Sequence, residues 1–238
     1  MILVRGSRFF NYIPIFTKKD QVIKATNIRK SYGQLEVLKG VDINIKKGEV
    51  VAVVGKAGAG KSTLQHILGT LDKADTGNLH INDQEISKLN DKKLAKFRNQ
   101  NIGFVFQFHH LLPEFNALEN VCIPAYIMGK SEQETQGRAK KLLDYLGLSD
   151  RLSHKPNQLS GGEQQRVAMA RALINDPGVV LADEPSGNLD SGSSKELHQL
   201  LFKLREDFQQ TFIIVTHNEE LAAMSDRNLH MIDGKLAQ

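Results

Sequence analysis

Apolar and polar positions recur along the chain with two periods. Val41, Ile43 and Ile45 alternate with Asp42 and Asn44, the period of two that a half-buried strand requires. Residues 22–28 read as another strand, and Lys47-Gly48 as a turn. Residues 49–54 are continuously apolar after Glu49, as for a strand covered on both faces. A glycine-rich loop follows, and then a helix over Lys61–Leu68. Residues 77–81 predict a short strand before an Asn82-Asp83 turn, 91–99 a helix, and 102–107 a strand. The stretch 117–146 is helical, with breaks expected near Pro124 and Gly129. A strong helix over 161–174 stops at Asn175-Asp176-Pro177. Val179–Asp183 predicts a buried strand, 193–207 an amphipathic helix, and 211–216 a strand. Glu219–Met224 predicts a helix and 229–232 a closing strand, before the turn Asp233-Gly234. Strands alternating with helices predict an α/β fold with a largely parallel core sheet. The central helical stretch exceeds a simple crossover and predicts a subdomain.

Composition narrows the picture. Of 238 residues, 40% are hydrophobic and 24% charged, which suits a water-soluble chain with a large core. No apolar run approaches the roughly 20 residues that cross a bilayer, so any membrane path must be built by other chains. The net charge of +4 comes without a basic run, which argues for solvated surface charge and against a nucleic-acid partner. The single cysteine, Cys122, lies between apolar neighbours and reads as a packed thiol. No internal disulfide is possible, in keeping with a reducing compartment. Residues 1–20 mix basic and aromatic positions but are interrupted by Asn11 and Pro14, unlike a secretory signal. Three readings of this extension stay open: a frayed or disordered tail, a mis-assigned start, or a segment touching a membrane surface.

Two constellations carry chemistry. Gly55-Lys56-Ala57-Gly58-Ala59-Gly60-Lys61-Ser62-Thr63 fits the P-loop pattern, and it lies between an apolar strand and a helix. Phosphate oxygens need backbone N–H donors converging on one concavity, and glycines let the backbone turn and approach closely. The helix start adds a positive end. Lys61 supplies a point charge for the β- and γ-phosphates of ATP, and Ser62 a hydroxyl for Mg²⁺. The strand Val179–Asp183 delivers Asp183 and Glu184 at its C-terminal edge, where α/β sheets bind ligands. Asp183 suits the metal and Glu184 the general base for an attacking water. Ser160, Gly161, Gly162 and Glu163 open a further helix. That start reads either as a second anion site or as an ordinary cap.

The run Leu159-Ser160-Gly161-Gly162-Glu163-Gln164-Gln165-Arg166 resembles the signature motif of ABC ATPases. Other elements fall in the family's order. Ser31-Tyr32-Gly33 resembles the A-loop, which implies that Tyr32 stacks on adenine. Gln107 resembles the Q-loop glutamine, which touches Mg²⁺ and links to a membrane subunit. Ser186-Gly187-Asn188-Leu189-Asp190 resembles the D-loop, and Thr216-His217-Asn218 the switch loop, with His217 near the γ-phosphate. The resemblance runs from Val22 to about Ala237. It implies a P-loop NTPase fold with a RecA-like core, an antiparallel β-subdomain and a helical subdomain over about 91–156. It also implies a homodimer of nucleotide-binding subunits sandwiching two ATP molecules beneath permease subunits. Many relatives carry serine at the positions of Ala57 and Ala59, which suggests modestly altered phosphate affinity.

A narrower resemblance rests on residues 106–115, Phe-Gln-Phe-His-His-Leu-Leu-Pro-Glu-Phe, on Ala117-Leu118-Glu119-Asn120-Val121, and on Leu68-Gly69-Thr70-Leu71-Asp72. These are similar to ATP-binding subunits of lipoprotein-releasing systems. That implies integral membrane permease partners and a peripheral place on the cytoplasmic face of the bacterial inner membrane. ATPases of macrolide or peptide exporters and of the cell-division permease share similar motifs. A soluble repair ATPase would carry a long coiled coil between P-loop and signature, and a translation ATPase two cassettes. A non-catalytic module would lack Glu184 or His217. None of these fits.

Overall fold

The computed structural model describes residues 21–237. The readings made of residues 1–20 lie outside them.

Two sheets organise the chain. A six-stranded sheet runs β10(Lys235–Leu236), β9(Arg227–Ile232), β3(Val50–Val54), β8(Thr211–Val215), β7(Val179–Asp183), β6(Ile102–Phe106). Its five longer strands are parallel, and only the β9–β10 pairing is antiparallel. A four-stranded antiparallel sheet runs β2(Leu35–Lys46), β1(Gln21–Tyr32), β4(Thr76–Ile81), β5(Gln84–Glu85).

The apolar runs of the parallel strands divide between two cores because successive side chains point to opposite faces. Val180, Ala182, Phe212 and Ile214 face the core shared with α3(Ala117–Ile127), α4(Glu132–Tyr145), α5(Gly161–Leu173) and α6(Ser191–Phe208). Val179, Leu181, Ile213 and Val215 face the core shared with α1(Lys61–Leu68), α2(Asp91–Asn101) and the antiparallel sheet. Both faces are covered, so a period of two is absent from the sequence there.

Several elements depart from the pattern reading. The strands predicted over 22–28 and 41–45 are the inner parts of a long β1–β2 hairpin. Register shifts near Ala25–Arg29, with Asn27 at φ 49, break the alternation. Pro124 does not break α3, which continues to Ile127. A proline at that place forfeits a single i→i−4 bond, and packing of α3 on α4 and α5 holds the helix on either side. α6 begins at Ser191, because Asp190 Oδ1 accepts from the Gly192 and Ser193 N–H groups. Within 91–156, β6 is the edge strand of the six-stranded sheet, and α2 contributes Leu94 to the α1-side core. Cys122 is buried, as expected.

Candidate functional site

Parallel register sets the site. Asp183 pairs with Phe106 on one side and Val215 on the other, and Val53 pairs with Val215. The residues that follow these positions, Gln107, Glu184 and Thr216-His217, therefore leave the sheet at one level. The 55–60 loop leaves β3 at the same C-terminal edge.

The loop is a close backbone turn. Gly55 has φ 150, and a Cβ there would sit 2.3 Å from the Met231 carbonyl oxygen. Gly60 caps α1 at φ 100. Lys61 folds back over the loop, and its Nζ donates to the Gly55 and Lys56 carbonyls at 2.8 and 3.0 Å. The ammonium is thereby poised at the helix start, where phosphate would gather. Ala57 and Gly58 are exposed, whereas the Ala59 methyl is buried in the α1-side core. A side chain at 57 stands clear of the core, whereas one at 59 points into it and leaves only its backbone N–H to the loop.

β7 ends on Asp183, and Glu184 turns at φ 44 with its N–H on the Val215 carbonyl. Such a φ is unusual for a side chain with a Cβ, and it swings the carboxylate towards the end of β8. There Glu184 Oε1 receives His217 Nδ1 at 2.7 Å, and Oε2 receives the Thr216 hydroxyl at 3.2 Å and the His217 N–H at 3.3 Å. A carboxylate accepts about four hydrogen bonds, so one lone pair of Oε1 stays open for a water. Because the carboxylate only accepts, His217 Nδ1 carries the proton and Nε2 faces outwards on an exposed ring. Burial pushes the Asp183 carboxyl pKa up and the Glu184 charge adds to it, while His66 and Lys61 pull it down. Asp183 thus lies in the field of the P-loop helix.

Ser62 and Asp183 offer hard oxygens on adjoining elements, and Gln107 stands one strand further along. Among the described residues no group of three or more His, Cys, Asp and Glu gathers for a metal. That donor set fits Mg²⁺, which is held by one or two protein oxygens plus phosphates and water, and it would not suit a protein-only cage.

Gln107 Nε2 donates to Asn188 Oδ1 at 2.9 Å, and Asn188 Nδ2 returns a bond to the Gln107 carbonyl at 3.1 Å. The 186–190 loop is therefore clamped to the end of β6. Gln165 Nε2, from α5, reaches the Phe106 carbonyl at 3.3 Å. Pattern reading missed Asn188 and Gln165 as individual contributors, since both partnerships span distant segments. His198, buried on α6, adds a 3.0 Å contact from Nε2 to the Ser186 hydroxyl. No local signal announces it.

The Ser160–Glu163 start is a reciprocal capping box. Ser160 Oγ accepts from the Glu163 N–H at 3.2 Å, and Glu163 Oε2 from the Ser160 N–H at 2.8 Å. Arg151 holds the other Glu163 oxygen at 2.9 Å. Within one chain the motif is a cap, with Gly161 exposed and Gly162 buried behind it. Tyr32 ends β1 with its ring half exposed and its hydroxyl donating to Asp72 Oδ2 at 2.6 Å.

Beyond Gln107, Phe108, Leu112 and Phe115 are exposed. The Arg171 guanidinium donates to the His109 and His110 carbonyls, each at 2.7 Å. The buried Asn120 side chain binds Leu112 on both backbone groups.

The family model for ABC transporters matches residues 38–187. The lipoprotein-releasing system ATP-binding protein LolD of Cytophaga hutchinsonii is 61% identical over 214 residues, covering 90% of this chain and 98% of that protein. LolD of Porphyromonas gingivalis is 61% identical with the same coverage. LolD of Bacteroides fragilis is 59% identical over 90% of this chain and all of its own length. Among solved structures, a dimeric ATP-binding cassette in a post-hydrolysis state, bound to ADP and Pi, matches at TM-score 0.82. It is 42% identical and covers 91% of this chain and 97% of its own. A Clostridium perfringens subunit of an ABC transporter complex matches at TM-score 0.84 with 30% identity, covering 92% and 88%. The glycine-rich loop and acidic pair at one edge of the sheet, and relatives spanning nearly all of the described chain, lead to one conclusion: the chain belongs to the ABC transporter family, as an ATP-binding and ATP-hydrolysing subunit.

Proposed function

We propose that the chain powers a lipoprotein-releasing transporter, working as a pair of ATPase subunits under permease partners on the cytoplasmic face of the inner membrane. The observation that carries this reading is the 59–61% identity to LolD proteins over at least 98% of their lengths. Exposed Phe108, Leu112 and Phe115, braced from below by Arg171 and Asn120, support a docking role for that face. In this reading residues 1–20 are an extension and 21–238 one nucleotide-binding domain, with the helical subdomain within about 91–156, where α3 and α4 lie outside the six-stranded sheet.

The loop N–H groups from Lys56 to Thr63 and the Lys61 ammonium hold the ATP phosphates, and Tyr32 stacks on the base. Mg²⁺, held by Ser62 and Asp183 with Gln107 in reach, would neutralise charge on the β- and γ-phosphates. Glu184 orients a water through the open lone pair of Oε1 and takes its proton as the oxygen attacks the γ-phosphorus. The β–γ bridging oxygen leaves with ADP, and the proton passes to phosphate. His217, steered by Glu184, would donate from Nε2–H to a γ-phosphate oxygen as the imidazolium, with Nδ1–H kept on Glu184. The Ser160–Glu163 start of the second copy closes the other side of the same nucleotide, adding its helix end. A single copy leaves that motif as a bare cap, so hydrolysis requires the pair. Opening and closing pass through Gln107 and Asn188 to the permease.

The test is affinity capture of tagged Glu184→Gln chain from detergent-solubilised membranes with ATP, identifying co-purifying proteins by mass spectrometry. Permeases of the lipoprotein-releasing type are expected. A macrolide-exporter or cell-division permease instead would overturn the substrate while leaving the ATPase chemistry in place.

A further inference from the structure

Tyr32 lies at the end of a long hairpin strand, just before Gly33 at φ 60, where a side chain would ordinarily swing freely. The loop after the P-loop helix prevents this. Asp72 Oδ2 accepts the Tyr32 hydroxyl at 2.6 Å, and Oδ1 accepts Lys30 Nζ at 2.9 Å and the Lys73 N–H at 2.7 Å. Lys30 Nζ also donates to the Lys73 carbonyl at 2.7 Å and stands over the Tyr32 ring, 5.2 Å from its centroid. One ring face is thus occupied by a cation, while the side chain stays half exposed. Three residues on, Asp75 Oδ2 accepts the Ser31 N–H at 2.6 Å, and the Asp75 N–H donates to the Arg29 carbonyl. The loop itself is tied to α1, because the Leu71 and Asp72 N–H groups both donate to the His66 carbonyl. α1 begins with Lys61, so the carboxylate holding Tyr32 rides on the helix that would hold phosphate. Burial draws the Asp72 carboxyl pKa upwards, but the bonds from Tyr32, Lys30 and Lys73 outweigh it and hold the group below the usual carboxylate range. It is therefore ionised at neutral pH and can only accept, which makes the phenol the donor.

We infer that Asp72 is a positioning residue for nucleotide binding: it fixes the Tyr32 ring, through the phenol and Lys30, at a set distance from the phosphate loop. This rests on the reading of Tyr32 as the base-stacking residue. With the ring pre-set, the base docks without ordering a side chain first, and the phosphates and base are registered by one rigid unit. Loss of the carboxylate leaves the phosphate cradle intact and frees only the ring.

The test compares equilibrium binding of Mg-ATP and of Mg-tripolyphosphate, which has no base, to the full chain. Asp72→Ala is expected to weaken ATP about 5- to 10-fold, the scale of one charge-assisted hydrogen bond, and to leave tripolyphosphate within about twofold. Tyr32→Phe keeps the ring and the fold, and it is expected to show the same selective loss. Combining the two substitutions is expected to add little, since both break one link. Equal weakening of ATP and tripolyphosphate by Asp72→Ala would overturn the inference and make Asp72 a support of the whole loop. So would unchanged ATP affinity in Asp72→Ala or Tyr32→Phe. Tyr32→Ala separates the two layers. If it binds ATP as the parent does, the base-stacking reading itself falls. If it is weakened while Asp72→Ala is not, only the positioning role falls.

Discussion

Gly55→Ala tests how tightly the phosphate loop is seated. The added Cβ would lie 2.3 Å from the Met231 carbonyl oxygen and 3.2 Å from its carbon. Carbon–oxygen contacts normally begin near 3.3 Å, so Gly55 and Met231 must part by about 1 Å. They cannot do so freely, because Val54 and His230, their chain neighbours, are paired in the β3–β9 ladder. The Met231 side chain also packs in the α1-side core. The φ of 150 adds strain for any side chain, of order 1–3 kcal/mol, and overpacking adds about 1–3 kcal/mol. A loss of roughly 2–6 kcal/mol is therefore expected, a large share of a typical domain's stability. The Gly55 carbonyl also holds Lys61 Nζ, so a shift of about 1 Å displaces the phosphate seat and lowers turnover about a hundredfold. Gly58→Ala is the control: its φ is 78, but nothing lies within 4 Å of the added atom, so only about 1–2 kcal/mol is lost. Urea denaturation of both variants, with steady-state phosphate release, measures this. Gly55→Ala within about 1 kcal/mol of the parent and fully active would refute the close approach and the reasoning built on it.

Arg171→Met removes both guanidinium bonds beneath residues 109–110 and is expected to cost about 3 kcal/mol in a urea titration. It should also reduce permease recovery in the capture experiment; a change under about 1 kcal/mol would contradict the bracing role. His198 is buried beside the Ser186 hydroxyl, and burial lowers its pKa against a smaller upward pull from Glu220. The unfolded chain therefore binds this proton more readily, and His198 makes stability fall as pH drops below about 6.5. His198→Leu is expected to flatten part of that fall between denaturation midpoints at pH 7.5 and 5.5. His109, whose pKa burial also lowers, keeps the rest, and an unchanged pH slope would contradict the assignment.

Much of this site was legible because its parts are local. The P-loop and the Asp183-Glu184 pair each sit directly after an apolar strand, so pattern and chemistry coincide in a few residues. The hairpin was only half legible: Asn27 and Gly40, both at positive φ, interrupt the alternation that would have joined its segments. Pro124 misled because a local rule was overridden by packing on α4 and α5. The direction of the Ala59 side chain was not legible from its place in a motif, and only the fold shows its methyl turned into the core. The Gln107–Asn188 clamp spans 81 residues, and the Tyr32–Asp72 bond spans 40. Nothing in a linear pattern encodes such partnerships: the first arises because the parallel strands β6 and β7 bring distant loops to one edge, the second because the loop after α1 meets the end of the antiparallel hairpin.

The central claim is that Glu184, seated between Thr216 and His217, is the base for ATP hydrolysis. The direct measurement is Glu184→Gln in the full chain, pairing phosphate release at saturating Mg-ATP with equilibrium ATP binding. The amide keeps the shape and loses the proton acceptor, so turnover should fall by a factor of about 10² to 10⁴ while affinity stays within about threefold. Turnover near that of the parent, with binding intact, would contradict the account and move the proton transfer to another group.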